Sequence, residues 1–396
     1  MKICMLAFSF PQDKNDAQCR FIYLLARELA KKHEIHVVTS GGKKTKDYEL
    51  MEGIHVHRFN YFFPKKLHAV TYGSSMAQIL KSNPFSWVQF PSFIANMLIK
   101  TKKIGSKCDI IHAQFSYLAL FPFMAGLKKP VVITCRGADI STSSNSRILF
   151  VLNKKLLKKC DYITTVSNDL RKTLISKYKI SENKIKFIPN GVEIELFKPL
   201  NKENTKKELK LPQNKKIILF VGHIIVRKGL DYLVKSAKLL VKKHKDLLFL
   251  VIGAGNQEEK IKLMVKEHNL SEYFVFLGVK PHKIIAKYMA ASDIFVLPSL
   301  SEGRANVLYE SLAAGLPIVA TAVSGTPEII IDGKNGFLVP AKNPAKLAEK
   351  IDKLLNNNKS MILFSKNGIK FIRENKLSWS NTADEYEKIY LKVTKK

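Results

Sequence analysis

Two carboxylates eight residues apart, Glu302 and Glu310, bracket the chemically richest stretch of this chain, Pro298-Ser299-Leu300-Ser301-Glu302-Gly303-Arg304-Ala305-Asn306-Val307-Leu308-Tyr309-Glu310-Ser311-Leu312-Ala313-Ala314-Gly315-Leu316-Pro317. The apolar run Ile294 to Leu297 before it reads as a strand, and the pattern from about Asn306 reads as a helix. Glu302 then falls in the loop beyond a strand's C-terminal end, where open α/β sheets bind ligands, and Glu310 in the first turns of the helix. The helix start between them offers unpaired backbone N–H groups and the positive end of a dipole, a setting suited to a diphosphate, and Gly303 lets backbone approach closely. Carboxylates beside such a site can accept hydrogen bonds from sugar and ribose hydroxyls. A random acidic pair would read as solvated surface charge; the glycines and small residues around this one point to a site.

The elements that must position these groups follow a repeated strand-helix alternation. Ile3 to Phe10 reads as a buried strand, Phe21 to Lys32 as a helix and Glu34 to Thr39 as the next strand, a parallel βαβ beginning. The rhythm resumes with strands at Asp109 to His112, Pro130 to Thr134 and Asp161 to Val166, the last followed by Ser167 as a helix cap, and at Ile185 to Pro189. Asn190-Gly191 makes a turn, and a polar, lysine-rich stretch runs to about Lys216 as an interdomain linker. A second alternation starts with Ile217 to Val221 and continues through a helix from about Asp231 and strands at Leu247 to Ile252, Phe274 to Leu277, Ile294 to Leu297 and Ile318 to Thr321. The fold class is α/β, two Rossmann-like doubly wound halves in tandem. A length of 396 residues and an apolar content of 46% fit two such domains. Residues 59–103 break the rhythm with aromatics, Pro64, Pro84, Pro91 and lysines. Either this insertion dips aromatic side chains into a membrane interface or frames a lipid-linked acceptor, or it is a helical subdomain packing Phe and Trp inward.

The stretch from Glu302 to Glu310 resembles the E-x7-E signature of the retaining glycosyltransferases of family 4, which have the two-domain GT-B fold. The resemblance spans nearly the whole chain: Phe220-Val221-Gly222-His223 with Arg227-Lys228-Gly229, Gly253-Ala254-Gly255, Ala291 to Pro298, and Ser324-Gly325-Thr326-Pro327-Glu328 with Asp332-Gly333 and Gly336. It implies two doubly wound domains facing a central cleft. The N-terminal, acceptor-binding domain spans 1–195, completed by a C-terminal helix crossing back in 378–396; a linker covers 196–216, and the nucleotide-sugar domain 217–377. It further implies that Glu302 contacts the donor sugar, Glu310 the ribose, and the amides of Arg304, Ala305, Asn306, Val307 and Leu308 the diphosphate. Lys228 matches the family's phosphate lysine, with Gly222, His223 and Arg227 beside it. A fixed cation there stabilises the charge that builds on a departing nucleoside diphosphate, UDP or GDP, as the glycosidic bond breaks.

Three departures from the family pattern stand out. His223 occupies the position of an arginine, and an imidazole is mostly neutral near pH 7 unless a phosphate raises its pKa, so Arg227 is left to compensate. In Ile133-Thr134-Cys135-Arg136-Gly137-Ala138-Asp139, Arg136 stands where the family has a histidine, and a guanidinium cannot act as a general base. Arg136 either binds a phosphate of donor or acceptor, with Asp139 shaping the loop, or merely pairs with Asp139. The glycine pair expected after the first strand is replaced by Pro11-Gln12-Asp13-Lys14-Asn15-Asp16-Ala17-Gln18-Cys19-Arg20. His112 resembles a histidine common in the family and is equally an acceptor ligand or a structural residue.

The remaining composition bounds the partners. A formal charge of +33 draws anionic partners, or reflects a lysine-rich composition spread over many faces. The lysine pairs are dispersed and no nucleic-acid motif accompanies them, so an anionic membrane surface is the expected partner, at about 1 kcal/mol per basic residue near it, and nucleic acid is not. Five scattered cysteines fit a reducing cytoplasm, with the enzyme peripheral on the inner face of the cell membrane. No Asp-x-Asp cluster suggests a divalent ion, no cofactor is implied, and Glu258 in the third glycine position argues against a dinucleotide. The function expected is a retaining transfer of sugar from a nucleoside-diphosphate sugar to a hydroxyl acceptor, a lipid-linked or cell-surface glycan precursor. The alternative is an inactive binding module that kept the fold.

Overall fold

Apolar runs alternating with amphipathic stretches build two sheets, one parallel throughout and one parallel but for an edge hairpin. The computed structural model describes residues 1–13, 16, 19–42, 45–68, 70, 84–144, 146–302 and 304–395. The chain divides into two compact units, one of Met1–Asn190 with Trp379–Lys396, the other of Gly191–Ser378.

The first unit holds strands β1 (Lys2–Leu6), β2 (Glu34–Ser40), β3 (Tyr48–Met51), β4 (Ile54–Phe59), β5 (Ile110–Ala113), β6 (Val131–Cys135), β7 (Tyr162–Thr165) and β8 (Ile185–Phe187). Their order is β3-β4-β2-β1-β5-β6-β7-β8. All neighbours run parallel except the β3–β4 pair, a hairpin turned at Glu52-Gly53. Order reverses at β1, which has β2 on one side and β5 on the other, the topological switch point at which such sheets take ligands. The first strand ends at Leu6 rather than Phe10, because the chain must leave the sheet to reach the helix Arg20–Ala30, although Phe10 itself stays buried. The β3–β4 hairpin is absent from the sequence reading: in β4 buried Ile54 and Val56 alternate with half-buried His55 and His57, so no continuous apolar run marks it.

The final helix, Trp379–Thr394, lies on the first unit. It buries Trp379, Ala383, Tyr386, Ile389, Tyr390 and Val393 at helical spacing, in one apolar cluster with Ile3, Met5, Ile22 and Leu25. Two of its tyrosines reach polar groups of the sheet. Tyr386 Oη lies 3.0 Å from Thr134 Oγ1 and 3.3 Å from Thr164 Oγ1. Tyr390 Oη lies 2.7 Å from His112 Nδ1.

The second unit holds β9 (Lys216–Val221), β10 (Leu247–Ile252), β11 (Phe274–Gly278), β12 (Ile294–Leu297), β13 (Ile318–Thr321) and β14 (Gly336–Val339). They lie in the order β11-β10-β9-β12-β13-β14, all parallel, reversing at β9. Every residue of β10 is buried, as a parallel strand covered on both faces requires. The stretch 196–216, read as a linker, contains a helix, Lys202–Glu208, and clusters with the second unit. Asn201 caps it by accepting from the Asn204 amide at 2.9 Å, and Lys202 pairs with Asp293 at 2.9 Å. Its buried members are Thr205 and Lys206, so it shows no apolar stripe.

In the irregular segment, 71–83 lie outside the described residues; beyond them runs a 21-residue helix, Phe85–Gly105, with Pro91 inside it. Among the described residues no helix is long and apolar enough to cross a membrane.

His112 is fully buried and held down to about 3 by that burial first and by Arg136 second. It is therefore neutral in the folded protein and protonates near pH 6.5 once unfolded, so the unfolded state binds the extra proton between those values. The unfolding free energy should fall as pH drops through this window, by at most about 1.4 kcal/mol per pH unit from this group. Urea titrations between pH 7 and pH 4 should show a shallower slope for His112→Gln than for the wild type; equal slopes would remove His112 from the account.

Candidate functional site

The loops after β9 and β12 touch, and that contact builds the site of the second unit. After Val221 the chain runs through Gly222 and His223 into a 3₁₀ turn, Val226–Lys228, and then a helix, Leu230–Leu240. Gly229 at the junction has φ +64°, and a Cβ there would stand 2.1 Å from the carbonyl oxygen of Pro298. Only glycine lets the two loops close to this distance. The Leu300 amide then donates to the Arg227 carbonyl at 2.8 Å. Gly253 and Gly255 serve the neighbouring loop: Cβ atoms there would lie 1.9 Å from the Gly222 oxygen and 2.2 Å from the Ile224 oxygen. These glycines are used in packing loop on loop, which accounts for the Gly-Ala-Gly run without a dinucleotide.

With the loops in contact, Lys228 Nζ donates to Glu302 Oε1 at 2.6 Å, and the two side chains are only 11% and 5% exposed. Ser299 Oγ donates to the same oxygen at 2.6 Å, and Arg227 Nη1 stands 3.9 Å from Oε2. Sequence reasoning placed Lys228 on a phosphate and Glu302 on a sugar; the structure brings them together as one cationic cluster, two bases to one acid. His223 is held below its ordinary pKa, by loss of water contact first and then by Lys228 and Arg227, so it adds no charge near pH 7.

The helix predicted from Asn306 runs Asn306–Ala313, with Ala305 at its N-cap and no side chain capping it. Val307 packs against the apolar core and Leu308 lies within it, which fixes how the helix start sits against β12. Arg304 turns inward: its side chain is 4% exposed, Nη1 donates to Glu328 Oε2 at 3.1 Å, and the guanidinium lies 4.9 Å from the Tyr309 ring centroid. Burial pulls its pKa down to about 10 against the opposing pull of Glu328. Arg304 therefore contributes its backbone, not its charge, to the space before the helix. Glu310 Oε1 stands 3.7 Å from Nε2 of His282, the first residue of the helix His282–Ala291. Gly303 lies outside the described residues.

In the first unit, Arg136 follows β6. Its side chain does not pair with Asp139. Instead Asp139 Oδ1 accepts from the Arg136 backbone amide at 3.1 Å and Oδ2 from the Ser116 amide at 3.0 Å, fixing the loop. The guanidinium goes to Gln114 and Asn190. His112 has both ring nitrogens engaged, Nε2 with Thr134 Oγ1 at 2.7 Å and Nδ1 with Tyr390 Oη. Of the two roles open to it, the structural one is what this geometry provides, because no ring nitrogen remains for a ligand.

Sequence reasoning gave no role to Ser299, Glu328 and Gln114, and took His282 only as the end of a stretch, from Leu277, whose backbone would select the base. Ser299 and Gln114 each sit just past a strand's C-terminal end, a signal that could have marked them; His282 and Glu328 become neighbours of the site only through strand order.

Two doubly wound units, with polar clusters at the C-terminal ends of their strands, are the parts of a GT-B protein. Residues 201–371 match the family described as glycosyl transferases group 1, and 19–196 match glycosyltransferase family 4. The chain is 32% identical over 306 residues to a glycosyltransferase of Methanocaldococcus jannaschii, covering 74% of this chain and 80% of the other. It is 26% identical to the capsular polysaccharide biosynthesis glycosyltransferase CapM of Staphylococcus aureus, over 91% of each. The crystal structure of Anabaena HepE with UDP-glucose shares the fold at a TM-score of 0.77 and 17% identity, covering 98% of this chain and 99% of that one. The chain belongs to the group 1 glycosyl transferases.

Lys228→Ala should leave the buried Glu302 carboxylate with the Ser299 hydroxyl and, as its one cation among the described residues, Arg227 at 3.9 Å. The expected cost to the ligand-free protein is about 3 kcal/mol, the low end for breaking a buried pair, since Arg227 remains. Chemical denaturation should show this, with most of the loss recovered in Lys228→Ala combined with Glu302→Gln; an additive double variant would mean the two groups do not depend on each other.

Proposed function

We propose that this transferase moves a sugar, with retention of configuration, from a nucleoside-diphosphate sugar to a hydroxyl acceptor that is a lipid-linked or cell-surface glycan precursor. The observation that carries the reading is the cluster of Lys228, Arg227 and Glu302 in the same loops as the helix start at Asn306, with Glu310 one turn further on. The bond from the anomeric carbon to the diphosphate oxygen breaks, and Lys228, Arg227 and the helix start stabilise the charge left behind. The acceptor oxygen bonds the same face of an oxocarbenium-like centre, and its proton passes to the departing phosphate oxygen. Glu302 takes the sugar hydroxyls and Glu310 the ribose. The two cations and the helix start offset the phosphate charge, so the reading calls for no metal or cofactor.

UDP or GDP is the expected carrier, and HepE with its UDP-glucose supports trying UDP first. CapM, named for capsular polysaccharide, supports a glycan acceptor. A membrane-side location is supported by the helix Phe85–Gly105. It buries Phe93 and Met97 together with Ser86, Gln89 and Thr101, and on the other side exposes Val88, Pro91, Ala95 and Ile99 at helical spacing, beside exposed Trp87 and the exposed Lys102 and Lys103. An apolar outward stripe ending in lysines on a chain of charge +33 suits an anionic lipid surface on the cytoplasmic side.

Thermal unfolding with UDP, GDP, ADP, CMP and their sugar conjugates tests the donor reading. One nucleotide series should stabilise the wild type, by about 2.7 kcal/mol at 100 times its dissociation constant, and Glu310→Ala should abolish the gain. Stabilisation by none of them sinks the reading, and binding with no sugar released or transferred would identify a binding module. Co-sedimentation tests the surface: phosphatidylglycerol vesicles should retain the protein, phosphatidylcholine vesicles should not, and Val88→Asp with Ile99→Asp should release it.

A further inference from the structure

Arg136 is a part-buried cation whose guanidinium makes no ion pair among the described residues: burial disfavours its charge, and Asp139 offsets this only through space. Its Nε donates to the Gln114 carbonyl at 3.1 Å, Nη2 to Gln114 Oε1, and Nη1 to Asn190 Oδ1 at 3.3 Å, while its Cζ lies 4.2 Å from the Phe21 ring centroid. All three acceptors are neutral. Asp139, the neighbouring carboxylate, gives its oxygens to backbone amides, and among the described residues no carboxylate is hydrogen-bonded to the guanidinium. A guanidinium has five N–H donors, so two remain beyond these three bonds.

The clamp is rigid. Gln114 can turn its oxygen to Arg136 because its amide nitrogen faces His112 Nδ1 at 3.1 Å, and that ring is held by Thr134 and Tyr390. A chain of neutral hydrogen bonds thus fixes one rotamer of a cation. A partly desolvated charge held this way is unfavourable until an anion meets it, and the planar fork suits two oxygens of a phosphate or carboxylate. The place is right as well: Gln114 follows β5 and Arg136 follows β6, at the C-terminal edge beside the reversal at β1.

We propose that Arg136 is the anion receptor of the first unit and that the acceptor carries a phosphate or carboxylate group that it grips. This rests on the proposed function, and it names the class of acceptor: an anionic one. The donor's diphosphate has the same chemistry, so the experiment must separate the two sources.

Isothermal titration of inorganic phosphate into the 396-residue chain, with and without saturating UDP, does so for the wild type, Arg136→Gln and Arg136→Lys. The expected result is that UDP-loaded wild type still binds phosphate, that Arg136→Gln weakens this at least tenfold, and that UDP affinity is unchanged. Arg136→Lys keeps the charge without the fork and should fall between, which also covers the case in which the glutamine variant does not fold. If UDP-loaded wild type takes no phosphate and Arg136→Gln loses UDP affinity instead, the anion is the donor's and the acceptor assignment is overturned. Equal phosphate binding by wild type and variants overturns the receptor itself. If the wild type binds none of the nucleotides tried, the proposed function fails, while the titration without nucleotide still reads Arg136.

Discussion

Parallel strands covered on both faces leave chemistry only at their ends, and everything distinctive in this protein follows from how closely those ends are packed. In the second unit the limiting contact is loop on loop: Gly229 against Pro298, Gly253 against Gly222, Gly255 against Ile224. A side chain at any of these would push the β9 loop off its neighbours, and Lys228 would no longer meet Glu302. The glycines are thus the reason the charged residues converge.

Both units then handle charge in the same economical way. The second gathers two bases around one buried acid, leaving a surplus positive charge beside an uncapped helix start. The first holds a single guanidinium among neutral oxygens. Each arrangement lies at the C-terminal edge of its sheet. Arg304, the other arginine of the region, is the contrasting case: Glu328 balances it and Tyr309 covers it, so it stabilises the loop and carries no surplus.

The final helix ties the chemistry of the first unit to its stability. Tyr390 orients His112, His112 orients Gln114, and Gln114 orients Arg136. A residue near the end of the chain therefore decides the geometry of one that follows β6, through a core that excludes water and keeps His112 neutral.

Much of this was legible in the residues alone. Continuous apolar runs such as Leu247–Ile252 and Ile294–Leu297 can only be buried parallel strands in a chain of this pattern, and Ser167 caps its helix because its side chain can accept an amide. The E-x7-E spacing marked a stretch that runs, as expected, from the end of one strand into a helix. Weakly patterned elements escaped: β4 with its alternating histidines, and the polar helix Lys202–Glu208. By itself the sequence determined which residue types stand at strand ends, since burial, turn chemistry and helix capping act over a few neighbouring positions. Only the tertiary structure decided that Lys228 meets Glu302, that Arg304 turns to Glu328 and that Arg136 rests on Gln114 rather than Asp139. Those partners lie 74, 24 and 22 residues apart, and strand order, not spacing, brings them together.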